Sequence, residues 1–198
     1  MESNKMTVPI EISARHIHLT EEDFHQLFGE KAELARLKKL SQPKNFAAKQ
    51  TVAIKTSAGK FAAVRIVGSF RKYTQIEISK TDAYNLDIDP PVRDSHELEH
   101  AGTPGVTVVG PEGKVELEKG VIIPWRHIHM HPSDAAEAGV EDGDLVMVDI
   151  DNDPRSVIFE NVLIRISPAY RLAMQIDTDE ANAAGISGGE VGTLLKQE

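Results

Sequence analysis

The chain of 198 residues repeats itself. Ala14-Arg15-His16-Ile17-His18-Leu19 returns 111 residues later as Trp125-Arg126-His127-Ile128-His129-Met130. In both copies an apolar run precedes the motif, Val8 to Ile12 in one and Gly120 to Pro124 in the other, and a short helix follows. Thr20-Glu21-Glu22-Asp23 ahead of Phe24, Leu27 and Phe28 reads as a capped helix start. Pro132 and Asp134 predict a second helix N-terminus near residue 131. A further echo, offset by 98, matches Gln75-Ile76-Glu77-Ile78 and the run from Asp82 with Ala173-Met174-Gln175-Ile176 and the run from Glu180. The offsets differ by 13, which an insertion within the polar, basic stretch from Lys31 to Gln50 accounts for. Such a duplication predicts two related units of roughly 90 residues, each able to bury its own core.

Between the echoes both halves read as short strands. Residues 51–55 and 60–67 flank Thr56-Ser57-Ala58-Gly59, residues 145–150 and 155–166 follow Glu141-Asp142-Gly143-Asp144, and residues 105–109 and 114–118 flank Gly110-Pro111-Glu112-Gly113. Turns every 8–12 residues predict small barrels, mainly β with short α-helices, and argue against a βαβ sheet. Asp89 to Arg93 and Glu97 to Pro104 look like linker. No apolar run approaches the ~18 residues of a membrane span, and the N-terminus lacks the apolar segment of a secretory signal, so a cytoplasmic protein is expected. With 22 Lys and Arg against 31 Asp and Glu, the net charge of −9 opposes general nucleic-acid binding.

The absence of cysteine removes disulfides, thiolate zinc sites and cysteine nucleophiles together, so a metal must be held by His, Asp, Glu or water. Alternate residues of a strand share a face, so His16 with His18, and His127 with His129, each present two imidazoles side by side. One such pair is weak evidence, since an exposed strand histidine is usually surface. Four imidazoles buried at repeat-related positions would need acids or metals to satisfy them. Glu77 is the natural third ligand, because Ile76 and Ile78 face the core and Glu77 the other side; its repeat counterpart is Gln175. Arg15 and Arg126 precede the pairs, and Arg71 lies an even spacing before Glu77, on the same face if the strand is regular. Such arginines suit a phosphate or carboxylate. His25, His96 and His100 have no repeat partner and read as surface. A cupin would place a glutamate soon after its pair on the same strand, and an amidohydrolase barrel needs about 250 residues of alternating β and α.

The repeated Arg-His-Ile-His motifs, Leu40-Ser41-Gln42-Pro43 to Ala48, Gln75 to Ser79, Pro90-Pro91-Val92-Arg93-Asp94-Ser95, and Ile176-Asp177-Thr178-Asp179-Glu180-Ala181-Asn182 occur in the order found in PduL-type phosphate propanoyltransferases, which the chain resembles over about residues 8–187. The resemblance implies two interleaved β-barrels with a two-zinc active site between them, one barrel from residues 5–14 plus 125–195 and the other from 15–124. It implies transfer of a short acyl group, acetyl or propanoyl, between coenzyme A and inorganic phosphate. The family's metal ligands fall on His16, His18, Glu77, His127 and His129, and its phosphate-binding arginine on Arg71. Gln175 replaces a histidine ligand, and His131 stands where the family has Ser or Thr.

That departure predicts one firm and one weak zinc site. A hydroxyl is the better helix cap at 131, but His131 shares the alternation of His127 and His129 if the strand extends that far, and would then offer a replacement ligand. Family members housed in bacterial microcompartments carry an N-terminal amphipathic extension. About seven residues precede the first strand here, so a free cytoplasmic enzyme acting on acyl-CoA and phosphate is expected, with no nucleic-acid or membrane partner and homo-oligomerisation left open. Two alternatives remain at this level: a catalytically weakened relative binding metal or coenzyme A, and a metal-dependent thioester hydrolase.

Overall fold

A computed structural model describes residues 6–43, 45–95 and 101–195. In chain order the elements are β1 (Thr7–Ile12), β2 (His16–His18), α1 (Glu21–Phe28), β3 (Arg36–Lys39), β4 (Phe46–Lys55), β5 (Lys60–Gly68), β6 (Gln75–Glu77), α2 (Lys80–Leu86), β7 (Val92–Arg93) and β8 (Val106–Val109). There follow β9 (Lys114–Leu117), β10 (Val121–Pro124), β11 (His127–Met130), α3 (Pro132–Ala138), β12 (Leu145–Ile150), β13 (Val157–Ile166), β14 (Ala173–Ile176), α4 (Thr178–Ala184) and β15 (Val191–Leu195). The protein is mainly β with short helices. Among the described residues no helix is long and apolar enough to cross a membrane.

The chain divides into two compact units, one of residues 1–13, 41–43 and 125–198, the other of residues 14–40 and 44–124. The first is a closed barrel with strand order β1-β14-β11-β13-β12-β15. The second sheet runs β7-β10-β6-β2-β5-β4-β8-β9, with β3 on β4, and stays open. Matching pairings reveal the duplication in three dimensions. β2 lies antiparallel to β6 and parallel to β5, while β11 lies antiparallel to β14 and parallel to β13. β10 runs parallel to β6 as β1 runs parallel to β14. Each histidine pair is therefore preceded in sequence by a strand belonging to the other unit. The barrel closes because β15 pairs with both β1 and β12. In the open sheet the corresponding strands, β10 and β4, pair instead with β7 and β8.

Two of the polar segments carry strands that composition hid. The stretch from Lys31 to Gln50 contains β3, exposed along its whole length, and half of β4. The linker-like Pro91–Arg93 region supplies β7, registered on β10.

Each unit buries its own apolar cluster. Ile17, Phe24, Leu27, Ile54, Ile66 and Ile76 anchor one, and Val8, Ile128, Val148, Ile164 and Met174 anchor the other. Burying one such side chain contributes about 1.5–3 kcal/mol. Because Ile17 and Ile128 point inward, alternation turns the flanking histidines to the opposite face. The helices are only seven or eight residues long, too short to persist without caps and packing. The side chain of Thr20 accepts from the amide of Asp23 at the start of α1, and reciprocal capping boxes join Ser79 to Asp82 at α2 and Asp177 to Glu180 at α4. Gly185 ends α4 with φ of 66°, a left-handed turn that costs glycine nothing.

Candidate active site

Antiparallel register sets His16 opposite Glu77 and His18 opposite Gln75. The Nδ1 atoms of His16 and His18 lie 3.0 Å from the carbonyl oxygens of Ala14 and Val67. A carbonyl only accepts, so each neutral ring carries its proton on Nδ1 and leaves Nε2 with a lone pair. Those Nε2 atoms stand 3.4 Å and 3.7 Å from the two oxygens of Glu77. Both distances are long for a hydrogen bond. They suit two ligands of one tetrahedral zinc, which lie about 3.3–3.4 Å apart when the bonds are 2.0–2.1 Å. Among the described residues His16, His18 and Glu77 form the one group offering three ligand atoms within 4.8 Å of one another.

Glu77 is held from two further sides. Gln75, two residues earlier on the same face, donates from Nε2 to Glu77 Oε1 at 2.9 Å and to the Ser95 carbonyl at 3.2 Å. Arg71 Nη1 lies 3.8 Å from the same oxygen. Arg71 does not share a strand with Glu77: β6 begins only at Gln75, and Arg71 reaches Glu77 from the loop, whose backbone is tied by the Arg71 N–H to the Leu19 carbonyl at 2.9 Å. Gln75 was legible only as a strand residue; its even spacing from Glu77 is the signal that marks it.

The second pair repeats the pattern up to a point. His127 Nδ1 lies 2.8 Å from the Trp125 carbonyl, the counterpart of His16 on Ala14. The rings of His127 and His129 meet edge to face at 4.6 Å, as those of His16 and His18 do at 5.0 Å, and both are buried. His129 also packs edge-on against Tyr170. Opposite His127, where the open-sheet unit has Glu77 opposite His16, stands Gln175. Its Nε2 donates to Glu11 Oε2 at 3.2 Å, and the same oxygen accepts from Ser41 Oγ at 2.6 Å. The residues present thus fit a zinc ion well around Glu77, and less completely around His127 and His129.

His131 turns away from this pattern. β11 ends at Met130, and His131 is the exposed N-cap of α3, its Nδ1 accepting from the Ser133 amide at 3.2 Å. The imidazole does what a hydroxyl was expected to do better, because its ring nitrogen is placed like a cap oxygen. Arg15 and Arg126 are likewise engaged in their own units, with Asp82 and Glu180. His25 sits half-buried on α1, its Nδ1 near the Gly29 carbonyl, while His96 and His100 lie outside the described residues.

Residues 9–187 match the family model described as phosphate propanoyltransferase. The chain belongs to this family. It is 51% identical to the phosphate propanoyltransferase of Thermotoga maritima over 180 residues, covering 91% of this chain and 85% of that one. It is 47% identical to the Salmonella typhimurium enzyme over 184 residues, 93% of this chain and 86% of that one. The Escherichia fergusonii enzyme is 45% identical over 194 residues, 98% of this chain and 91% of its own. As a phosphate propanoyltransferase family member the chain is an enzyme of the phosphate acyltransferase type.

Proposed function

We propose that this chain moves a short acyl group, propanoyl or acetyl, between coenzyme A and inorganic phosphate, with His16, His18 and Glu77 holding a zinc ion and Arg71 holding phosphate. The observation that carries the reading is the convergence of two Nε2 lone pairs and one guanidinium on a single buried carboxylate. His127 and His129 hold a second, weaker ion, since the amide of Gln175 is turned toward Glu11 and is a poorer ligand than imidazole or carboxylate.

In the direction of acyl phosphate formation, a phosphate oxygen attacks the thioester carbonyl carbon, a C–O bond forms, the C–S bond breaks, and sulfur leaves with the bonding pair as the coenzyme A thiolate. With no cysteine in the chain, direct displacement needs no acyl-cysteine stage. Zinc in this site supplies Lewis-acid stabilisation for the negative charge that develops on the carbonyl oxygen or the departing sulfur. Arg71, donating in a planar fork, orients the phosphate for attack. Glu77, neutralised in part from both sides, keeps the imidazoles aimed.

The test is release of coenzyme A thiol from propanoyl-CoA with and without phosphate. Phosphate-dependent release with acyl phosphate formed supports the proposal. Release indifferent to phosphate would make the protein a thioester hydrolase, and none at all, with zinc bound, a binding relative.

A further inference from the structure

Each histidine pair is preceded by an arginine that the proposed chemistry does not use, and both arginines pair with a carboxylate and stand over an aromatic ring, although Arg15 grips its carboxylate with two arms while Arg126 uses one and gives its Nε to the Glu160 carbonyl at 2.8 Å. Arg15 donates through Nε to Asp82 Oδ2 at 2.9 Å and through Nη2 to Oδ1 at 2.6 Å. Its guanidinium stands over the Phe61 ring, 4.3 Å from the centroid. In the other unit Arg126 Nη1 donates to Glu180 Oε1 at 2.7 Å and stands over Phe159 at 5.4 Å. Phe61 and Phe159, like Asp82 and Glu180, are separated by the same 98 residues as Glu77 and Gln175. Two diverged halves thus hold the same arginine, carboxylate and aromatic. The carboxylate is in each case the third residue of the helix that follows the strand opposite the histidines.

The arginine sits in the middle of a short closed loop. In the open-sheet unit the Ala14 carbonyl, on one side of Arg15, lies against Nδ1 of His16 on the other. In the closed barrel, Trp125 and His127 flank Arg126 in the same way. That contact chooses which ring nitrogen keeps its proton, and for His16 it leaves Nε2 facing Glu77. Holding the side chain between fixes the peptide that makes the choice. We infer that Arg15 with Asp82, and Arg126 with Glu180, are positioning pairs that lock the leading histidine of each dyad in its Nδ1–H form with Nε2 presented to a metal.

Asp82 is buried, its carboxylate taken up by both arms of the Arg15 fork, and the pairing raises the Arg15 pKa further. Removing Arg15 alone would strand that charge, so the double variant Arg15→Gln/Asp82→Asn accompanies Arg15→Lys. The inference rests on the zinc reading for its consequence, and its test has one arm that does not. In metal-free protein, ring-nitrogen NMR at pH 8 reports the tautomer: His16 and His127 are Nδ1–H in the parent, and the double variant brings His16 into mixed tautomers while His127 keeps its own. By zinc competition titration the double variant binds about 10–100-fold more weakly, as loss of a ligand-orienting contact does, and Arg15→Lys falls between. Arg126→Gln/Glu180→Gln leaves the affinity of the site at Glu77 unchanged. Folded variants in which His16 stays Nδ1–H and zinc affinity is unmoved would overturn the inference. A parent protein that binds no zinc would overturn the zinc reading, and the tautomer result would still judge the positioning.

Discussion

Replacing Arg71 with alanine separates phosphate recognition from metal binding, because the two effects have opposite signs. Its backbone is already held by the N–H bond to Leu19, so the loop keeps its place without the side chain. What is lost is the guanidinium at Glu77, about a third of it open to solvent. A hydrogen bond to a charged group is worth about 1.5–3 kcal/mol, and partial exposure reduces this to about 1–2 kcal/mol. At about 1.4 kcal/mol per decade, the KM for phosphate should rise roughly 5- to 30-fold. The same change removes a positive charge beside Glu77, so zinc affinity should hold or increase. Initial rates of thiol release over a phosphate series at saturating propanoyl-CoA, with zinc content measured on the same preparation, give both numbers. Arg71→Lys should recover only part of the loss, since an ammonium cannot reproduce the planar fork. An unchanged KM for phosphate, or an equal rise in the KM for both substrates, would refute the assignment.

Glu77→Gln should cut zinc content to at most the weak site and abolish phosphate-dependent turnover while Gln75 and the strand register persist; full zinc content by elemental analysis would contradict the ligand set. Gln175→His should raise zinc content, because an imidazole there stands opposite His127 and its second nitrogen can donate to Glu11, the carboxylate partner that ligating histidines commonly have. His131→Ala should leave zinc content alone and cost about 1 kcal/mol in denaturant unfolding, the size of a lost helix cap. A drop in zinc would instead make His131 a ligand. Asp177, the N-cap of α4, is pushed up to about 6, chiefly by burial and further by the charges of Glu180 and Asp179, against the backbone N–H bonds that it accepts. Its unfolded value is about 3.9, so the folded state holds the proton more tightly and the stability this carboxyl contributes declines as pH rises from about 4 to 6. Asp177→Asn, which keeps the cap, should remove that decline; parallel unfolding curves across pH 4–7 for parent and variant would exclude it.

The sequence alone determined what is local or repeated. Strand alternation around Ile17 and Ile128 put both histidine pairs on the face away from the core, and Thr20-Glu21-Glu22-Asp23 and Pro132 marked helix starts, since caps and pleats depend on neighbours in the chain. The two echoes align Glu77 with Gln175 independently of strand pairing, because duplicated segments keep their order. Long-range pairing decided the rest. β3 and β7 are a fully exposed strand, basic but for Leu37, and a two-residue strand, whose only reason to extend is a hydrogen-bonding neighbour, β4 for one and β10 for the other. Whether a unit closes into a barrel depends on which strand reaches its edges, and β15 does so in only one of them. Side-chain roles followed the same division. Arg71 reaches Glu77 from a loop at 3.8 Å, and Arg15 and Arg126 are bound to carboxylates on helices distant in sequence, because charged groups pair wherever folding brings them together, however far apart they lie in the chain.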